Sequence, residues 1–450
     1  MCSMEKSFKG DETVIVQRKI DYMNERNLFI LIYLMSVLSI IFAHIIAKPL
    51  VFVALCLFVL SILLLPNIYS YSLLFGLFPF ANIFKLSPNS MSFFTVSEIL
   101  LLSGIIIEHI IIKKKIKFDI FLVVALVFMM MQIVFFSKEI DLSSIIKLVV
   151  RIGLVAYYFK YIMSSKCEMS DITSVAYCFS FSMLLMMFLS LITPFRDAVL
   201  DYLRVVQYGN NIDLLRNCGL LDDPNYCSLA IMMSLTFMTV LFYYEKLKVE
   251  YWILAVPLFL IGFTTYSKSY FLMSVLFLLI LFFFVLVPKY KNLAVIFFVV
   301  VTYAVLAIID GNIEIVNNIF LRFDSNDITT GRSALNEIYI NFILDDVKVL
   351  LFGEGFDVRA LPRTNNVHNL FIEMLFRLGI VGSLLFFVII ISFFSKKCLK
   401  SKFINYVPVI FMFIMYMALA GLDSYGLFYY ILLSGISILQ IGYADESKEY

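Results

Sequence analysis

The groups best suited to chemistry in this chain crowd into Leu351–Phe387, which reads LFGEGFDVRALPRTNNVHNLFIEMLFRLGIVGSLLFF. Gly353 and Gly355 suit a tight turn, because glycine adopts backbone angles that other residues resist. Arg359 and Arg363 follow, and His368-Asn369 then stands immediately before a long apolar run. Imidazole titrates near neutrality, so a histidine there suits a general base that draws a proton from a hydroxyl. Position alone leaves His368 divided between that role and anchoring at a membrane interface. His44 and His109 lie at the ends of apolar runs, where interface anchoring is explanation enough.

Charge within apolar runs is the second unusual feature. Lys147 and Arg151 fall at i, i+4 in one run, and Glu98 and Glu108 border another. Such charges are expensive in lipid and face a cavity or a partner. A transport pathway and a structural pair between two helices both fit. The seven cysteines have no metal-ligand spacing, so neither a metal nor another cofactor is expected. Cys56 and Cys178 sit inside apolar runs as small apolar residues. Cys218 and Cys227 could meet in one connection, although no disulfide is expected.

The elements that must position these groups are membrane helices. Of 450 residues, 62% are hydrophobic and only 15% charged, well below the quarter that soluble domains carry. Apolar runs long enough to cross a hydrocarbon core recur from Leu28 onward. They lack the alternation of barrel strands, so the expected fold is all-α: a polytopic transmembrane helical bundle of about 12–14 spans with two large extracytoplasmic loops. Spans are predicted at 28–47, 49–65, 71–86, 95–112, 119–136, 145–163, 173–193, 226–244, 251–266, 270–287, 293–309, 370–394, 403–420 and 426–442. The third, containing Pro79, and the ninth carry the weakest signals.

With the N-terminus inside, Lys113–Lys117, Lys160 and Lys166, Lys246 and Lys248, Lys289 and Lys291, and Lys396–Lys402 all fall in cytoplasmic connections, as positive charge favours. Both termini are then cytoplasmic. The chain divides into a polar N-terminal segment (1–27) without a cleavable signal, an N-terminal bundle (28–193), a first outer loop (194–225), central spans (226–309), a second outer loop (310–367), and C-terminal spans with a short tail (368–450). The net charge of +2 calls for no nucleic-acid partner.

The two outer loops hold seven of the eleven arginines, Arg196, Arg204, Arg216, Arg322, Arg332, Arg359 and Arg363, against one lysine, Lys348. A guanidinium grips phosphate or carboxylate at two points, whereas an ammonium acts as a point charge. In the second loop Leu335, Ile338, Tyr339, Phe342 and Ile343 fall on one helical face. A helix is predicted over Arg332–Asp345, lying flat near the membrane, with Thr329 and Thr330 as caps.

Four stretches together resemble the O-antigen polymerase and O-antigen ligase superfamily. Gly353-Glu354-Gly355-Phe356, His368-Asn369, Gly379 and Gly382 match its G-x-G-F turn and the H-N segment that opens a span. Arg216-Asn217-Cys218-Gly219 through Asp223-Pro224-Asn225 is similar to its R-x-x-G … D-P-N stretch. Thr330-Gly331-Arg332-Ser333 is similar to its S-G-R segment, and Thr265–Ser269 to its T-x-S-R element, with Lys268 in place of arginine. The likeness covers about residues 200–395. Arg377 departs from it, standing where an acid is common, with Glu373 nearby.

The resemblance implies a membrane glycosyltransferase at the outer face of a bacterial inner membrane. Its donor would be a lipid-linked oligosaccharide on polyprenyl diphosphate, with membrane lipids and a chain-length regulator as the other partners. His368 would activate the acceptor hydroxyl, and Arg216 and Arg332 would offset the charge developing on the diphosphate. Lys268, Arg322, Arg363, Asn369, Glu373 and Asn225 would bind substrate. Polymerisation of repeat units into O-antigen or a related surface polysaccharide is the leading expectation. The alternatives are ligation to a lipid A core and, from another class, a polysaccharide flippase or transporter.

Overall fold

A computed structural model describes residues 4–111, 142–159, 169–203, 216–221, 223–310, 332–355, 367–393, 402–419 and 425–441, with 127, 130, 131, 135, 319 and 422 between them; for 4–23, 109, 142–143, 169–171, 308–309, 392–393, 425 and 440–441 it describes the backbone alone. Every regular element among the described residues is helical. In order they are α1 (Met4–Ile45), α2 (Leu50–Leu64), α3 (Asn67–Leu77), α4 (Phe93–Ile111), α5 (Leu142–Tyr157), α6 (Met169–Leu191), α7 (Thr193–Val199) and α8 (Pro224–Tyr243). Then come α9 (Val249–Gly262), α10 (Lys268–Ile280), α11 (Lys291–Ile309), α12 (Arg332–Asp345), α13 (Val347–Phe352), α14 (Leu370–Phe393), α15 (Phe403–Tyr416) and α16 (Tyr425–Gly435).

Among the described residues, five stretches are long and apolar enough to cross a membrane: Asn24–Ile45, Ile172–Leu191, Pro224–Tyr243, Lys268–Lys289 and Leu370–Ile391. Five shorter apolar helices accompany them, including α2 and α15. The outer surface explains this composition. Along α11, Val295, Ile296, Phe298, Val299, Val300, Tyr303 and Leu306 are all exposed. Water would penalise such a surface heavily, whereas hydrocarbon solvates it.

The core gathers around α8, which is buried along almost its whole length and packs against α6, α9, α10, α15 and α16. Its start follows from sequence: Asp223 caps it by accepting from the Asn225 N–H at 2.6 Å, and Pro224 occupies the first turn, where no donor is required.

Two expectations need correction. No continuous span forms over 71–86: α3 stops at Leu77, a 3₁₀ turn carries Phe78–Phe80 through Pro79, and residues 68–84 are buried throughout. Proline lacks an N–H and clashes with the preceding turn, so this segment serves as a plug inside the bundle. The apolar face of α12 is the predicted one, but it packs on protein. Leu335, Tyr339 and Ile343 form a small separate core with Val349, Val367 and Phe376, placing α12 on α13 and α14. The predicted span 119–136 lies largely outside the described residues, as do Thr329 and Thr330.

Candidate functional site

Residues from four connections distant in sequence meet at one end of the bundle. The first contact is a knot between the 216–225 stretch and the turn before α10. Arg216 Nε donates to the Thr265 carbonyl at 3.1 Å and Nη2 to Asn225 Oδ1 at 3.4 Å. The same Asn225 oxygen accepts from Ser267 Oγ at 2.8 Å. Asn217 extends the knot, donating its N–H to the Thr264 carbonyl at 3.0 Å and accepting from Ser190 at 2.8 Å. Tyr266 takes a left-handed conformation, φ 47°, so that Ser267 can turn and cap α10 through the Tyr270 N–H. Lys268 is thereby fixed in the first turn of α10, half-buried.

The second contact brings in the 332 and 368 regions. Arg332, at the start of α12, donates through Nη1 to the Ala418 carbonyl at 3.2 Å. His368 is half-buried and lies within electrostatic reach of both Arg332 and Asp223. Burial lowers its pKa below the ordinary histidine value, Arg332 lowers it further, and Asp223 works in the opposite direction. The imidazole is therefore neutral at pH 7 and free to accept a proton. Asn369 acts as the cap of α14, accepting from the Phe371 and Ile372 N–H groups at 2.9 and 3.3 Å.

A backbone clasp holds the histidine-bearing end of α14. Gly379 breaks that helix with φ 63° and ψ −174°. The break leaves the Phe376 and Arg377 carbonyls to accept from Glu354 N–H at 2.8 Å and Gly355 N–H at 3.0 Å. The G-x-G turn is thus a plug in a helix break. Glu373 is buried and engaged within the protein: Oε1 accepts from Arg377 Nε at 2.9 Å and Oε2 from the Leu422 N–H at 3.0 Å. That pair ties α14 to the connection between α15 and α16. It also answers the departure at Arg377, whose charge is neutralised four residues away on its own helix.

Of the residues expected from sequence, Arg216 and Asn225 are brought together in the knot, Lys268 follows its Ser267 in the chain, and His368, Asn369 and Arg332 gather beside Asp223. Glu373 belongs to the clasp. Arg322 and Arg363 lie outside the described residues. Sequence reasoning placed Ser267 in the T-x-S-R likeness and Tyr339 on an apolar face but gave neither a part in the site, where Ser267 bonds Asn225 and the Tyr339 hydroxyl bonds the Val367 backbone beside His368. Cys218 and Cys227 are not joined in a disulfide, and Cys227 donates to Met187 Sδ at 3.3 Å. His44 is held by the Ile83 carbonyl at 2.7 Å and by Lys48 at 2.8 Å, a structural role. No cluster of three or more histidine, cysteine, aspartate or glutamate side chains that could hold a metal occurs among the described residues.

Fold and site define an all-helical membrane protein with several helices of spanning length and a cationic, histidine-bearing end. Neither the protein-family models nor the curated proteins nor the solved structures contain a match to this chain.

Proposed function

We propose that this protein is a membrane glycosyltransferase that polymerises polyprenyl-diphosphate-linked repeat units into O-antigen or a related surface polysaccharide. The observation that carries the reading is the approach of a half-buried His368 to Arg332 and Asp223, beside the knot holding Arg216 and Lys268. The motifs that resemble the superfamily supply this whole set.

In the reaction, the acceptor hydroxyl oxygen attacks the anomeric carbon of the donor sugar. The bond from that carbon to the diphosphate oxygen breaks, and the hydroxyl proton passes to His368. The diphosphate leaves as an anion, so no acid is needed; Arg216, Arg332 and Lys268 stabilise the charge that develops. Arg322 and Arg363 are assigned to diphosphate binding on sequence alone. Leu260 and Leu272, exposed on the two helices that flank the turn before Lys268, give the prenyl chain an apolar surface to follow.

Ligation to a lipid A core would use the same donor and the same residues. The buried Arg151 and Glu98 pair with each other at 3.1 Å, which supports the helix-pair reading of these two charges.

Reconstitution of the purified protein with a lipid-linked repeat unit tests the proposal. A ladder of products is expected, absent in His368→Gln. No ladder and no transfer to a lipid A core acceptor would overturn it. In cells, loss of the gene would leave single-repeat surface glycan for a polymerase and accumulated lipid-linked polymer for a ligase.

A further inference from the structure

Four sulfur-bearing side chains that the proposed reaction does not use gather where the 216–221 turn meets α6 and α8. Cys227, near the start of α8, donates through Sγ to Met187 Sδ on α6 at 3.3 Å. The sulfurs of Met186 and Met187 both lie 3.1 Å from the point where a Cβ on Gly219 would stand. Consecutive helix positions point about 100° apart, so neighbouring side chains do not converge on one point by default. Cys218 precedes that glycine, and its thiol lies within electrostatic reach of Cys227. Met186, Met187 and Cys227 are wholly buried, whereas Cys218 is half-buried.

The turn carrying Cys218 is fastened on both sides. Asn217 Oδ1 accepts from the Gly219 N–H at 2.9 Å and from Ser190 Oγ, one turn beyond Met187, at 2.8 Å. Asn82 donates to the Leu220 carbonyl at 3.1 Å. Gly219 itself has φ 60°, and a side chain there would stand 2.5 Å from the Met186 methyl group. The oxygens bordering the cluster serve the fold, Asn217 Oδ1 in this turn and the Asp223 carboxylate as the cap of α8.

Methionine alone would be ordinary core filling. Two thiols with two thioethers are a soft donor set, which selects monovalent copper and leaves magnesium, calcium and manganese to oxygen ligands. Structural zinc takes thiolates and imidazoles. We infer that Cys218, Cys227, Met186 and Met187 form a copper(I) site that ties the 216–221 turn to α6 and α8. A thiol that binds the ion gives up its proton to water, the metal keeps its oxidation state, and half-buried Cys218 is the point of entry. This inference is independent of the proposed reaction.

The full chain in detergent would be loaded with copper(I) under ascorbate, and the metal retained against the chelator bicinchoninate would be counted. One tightly held ion per chain is expected, with sulfur as its only near neighbours in X-ray absorption. Cys227→Ser should lose it. Met186→Leu with Met187→Leu nearly conserves volume and so keeps the fold. That pair should weaken retention by at least the roughly 10–100-fold that even outer partners of a metal contribute. Cys56→Ser, which removes an exposed thiol on α2, should leave the ion in place. Absence of a tightly held ion in the native chain would overturn the inference. So would equal retention by the methionine variant, or loss of the ion in Cys56→Ser, which would put the metal elsewhere.

Discussion

At the scale of single residues, the competence of His368 depends on its neighbours more than on its identity. Burial and the Arg332 charge keep the imidazole unprotonated, while Asp223 limits the effect. A depressed pKa means that the base is available at neutral pH and is lost only as pH falls below the ordinary histidine value of about 6.5. The acid limb of the kcat/KM profile should therefore lie below that pH. Arg332→Gln should move the limb to higher pH and Asp223→Asn to lower pH; a limb that stays put in both variants would detach the histidine from catalysis. His368→Gln should lower the rate about 10²–10⁴-fold without altering the helical content seen by circular dichroism. His368, Arg216 and Arg332 stood out in the sequence because their types and motif positions are unusual for a membrane chain. The bonds of Ser267 and Asn217 were not legible there, because each depends on a partner more than twenty residues away.

At the scale of elements, the glycines of the resemblance motif have a mechanical explanation. A Cβ on Gly379 would stand 2.4 Å from the Leu351 carbonyl carbon and the Phe352 nitrogen, and one on Gly353 would stand 2.4 Å from the Arg377 oxygen. Both residues also have positive φ, at 63° and 78°. Neither obstacle can move, since both are backbone of the opposing half of the clasp. Gly353→Ala and Gly379→Ala should each lower stability by about 1–3 kcal/mol or more, read as a lower unfolding midpoint in detergent. An unchanged midpoint in both would show that the clasp does not hold α14. The predicted amphipathic helix formed with the expected face inward. Its partner was not legible, because an apolar stripe fits a lipid surface and a protein surface equally well.

At the scale of the whole molecule, three helices are joined in the buried core by an ion pair. Arg151 on α5 bonds Glu98 on α4, and the Tyr429 hydroxyl on α16 bonds the same carboxylate at 3.1 Å. Both charged side chains are almost wholly buried, at 1% and 0% exposure, so removing either one strands the other in a medium that cannot solvate it. Arg151→Leu should cost about 3–5 kcal/mol in thermal unfolding, and adding Glu98→Gln should recover much of it. Additive losses in the double variant would argue against the pairing. The sequence offered two readings of these charges, a transport path or a helix pair, and their 3.1 Å separation is what the helix pair requires.

Hydrophobicity and its run lengths determined by themselves that the chain is helical and membrane-spanning, since lipid leaves an open chain no other way to satisfy its peptide groups. The choice of candidate chemistry was likewise legible, because histidine and clustered arginine are conspicuous against 62% hydrophobic residues. Tertiary structure alone decided that residues 68–84 end as a buried segment, that Glu373 also accepts from the Leu422 N–H, and that Lys289 and Lys402 share one tyrosine pair. Each of these outcomes depends on which helices become neighbours. Apolar runs of similar length and composition carry little information about that choice, which is made by packing and by the few polar groups that must find partners.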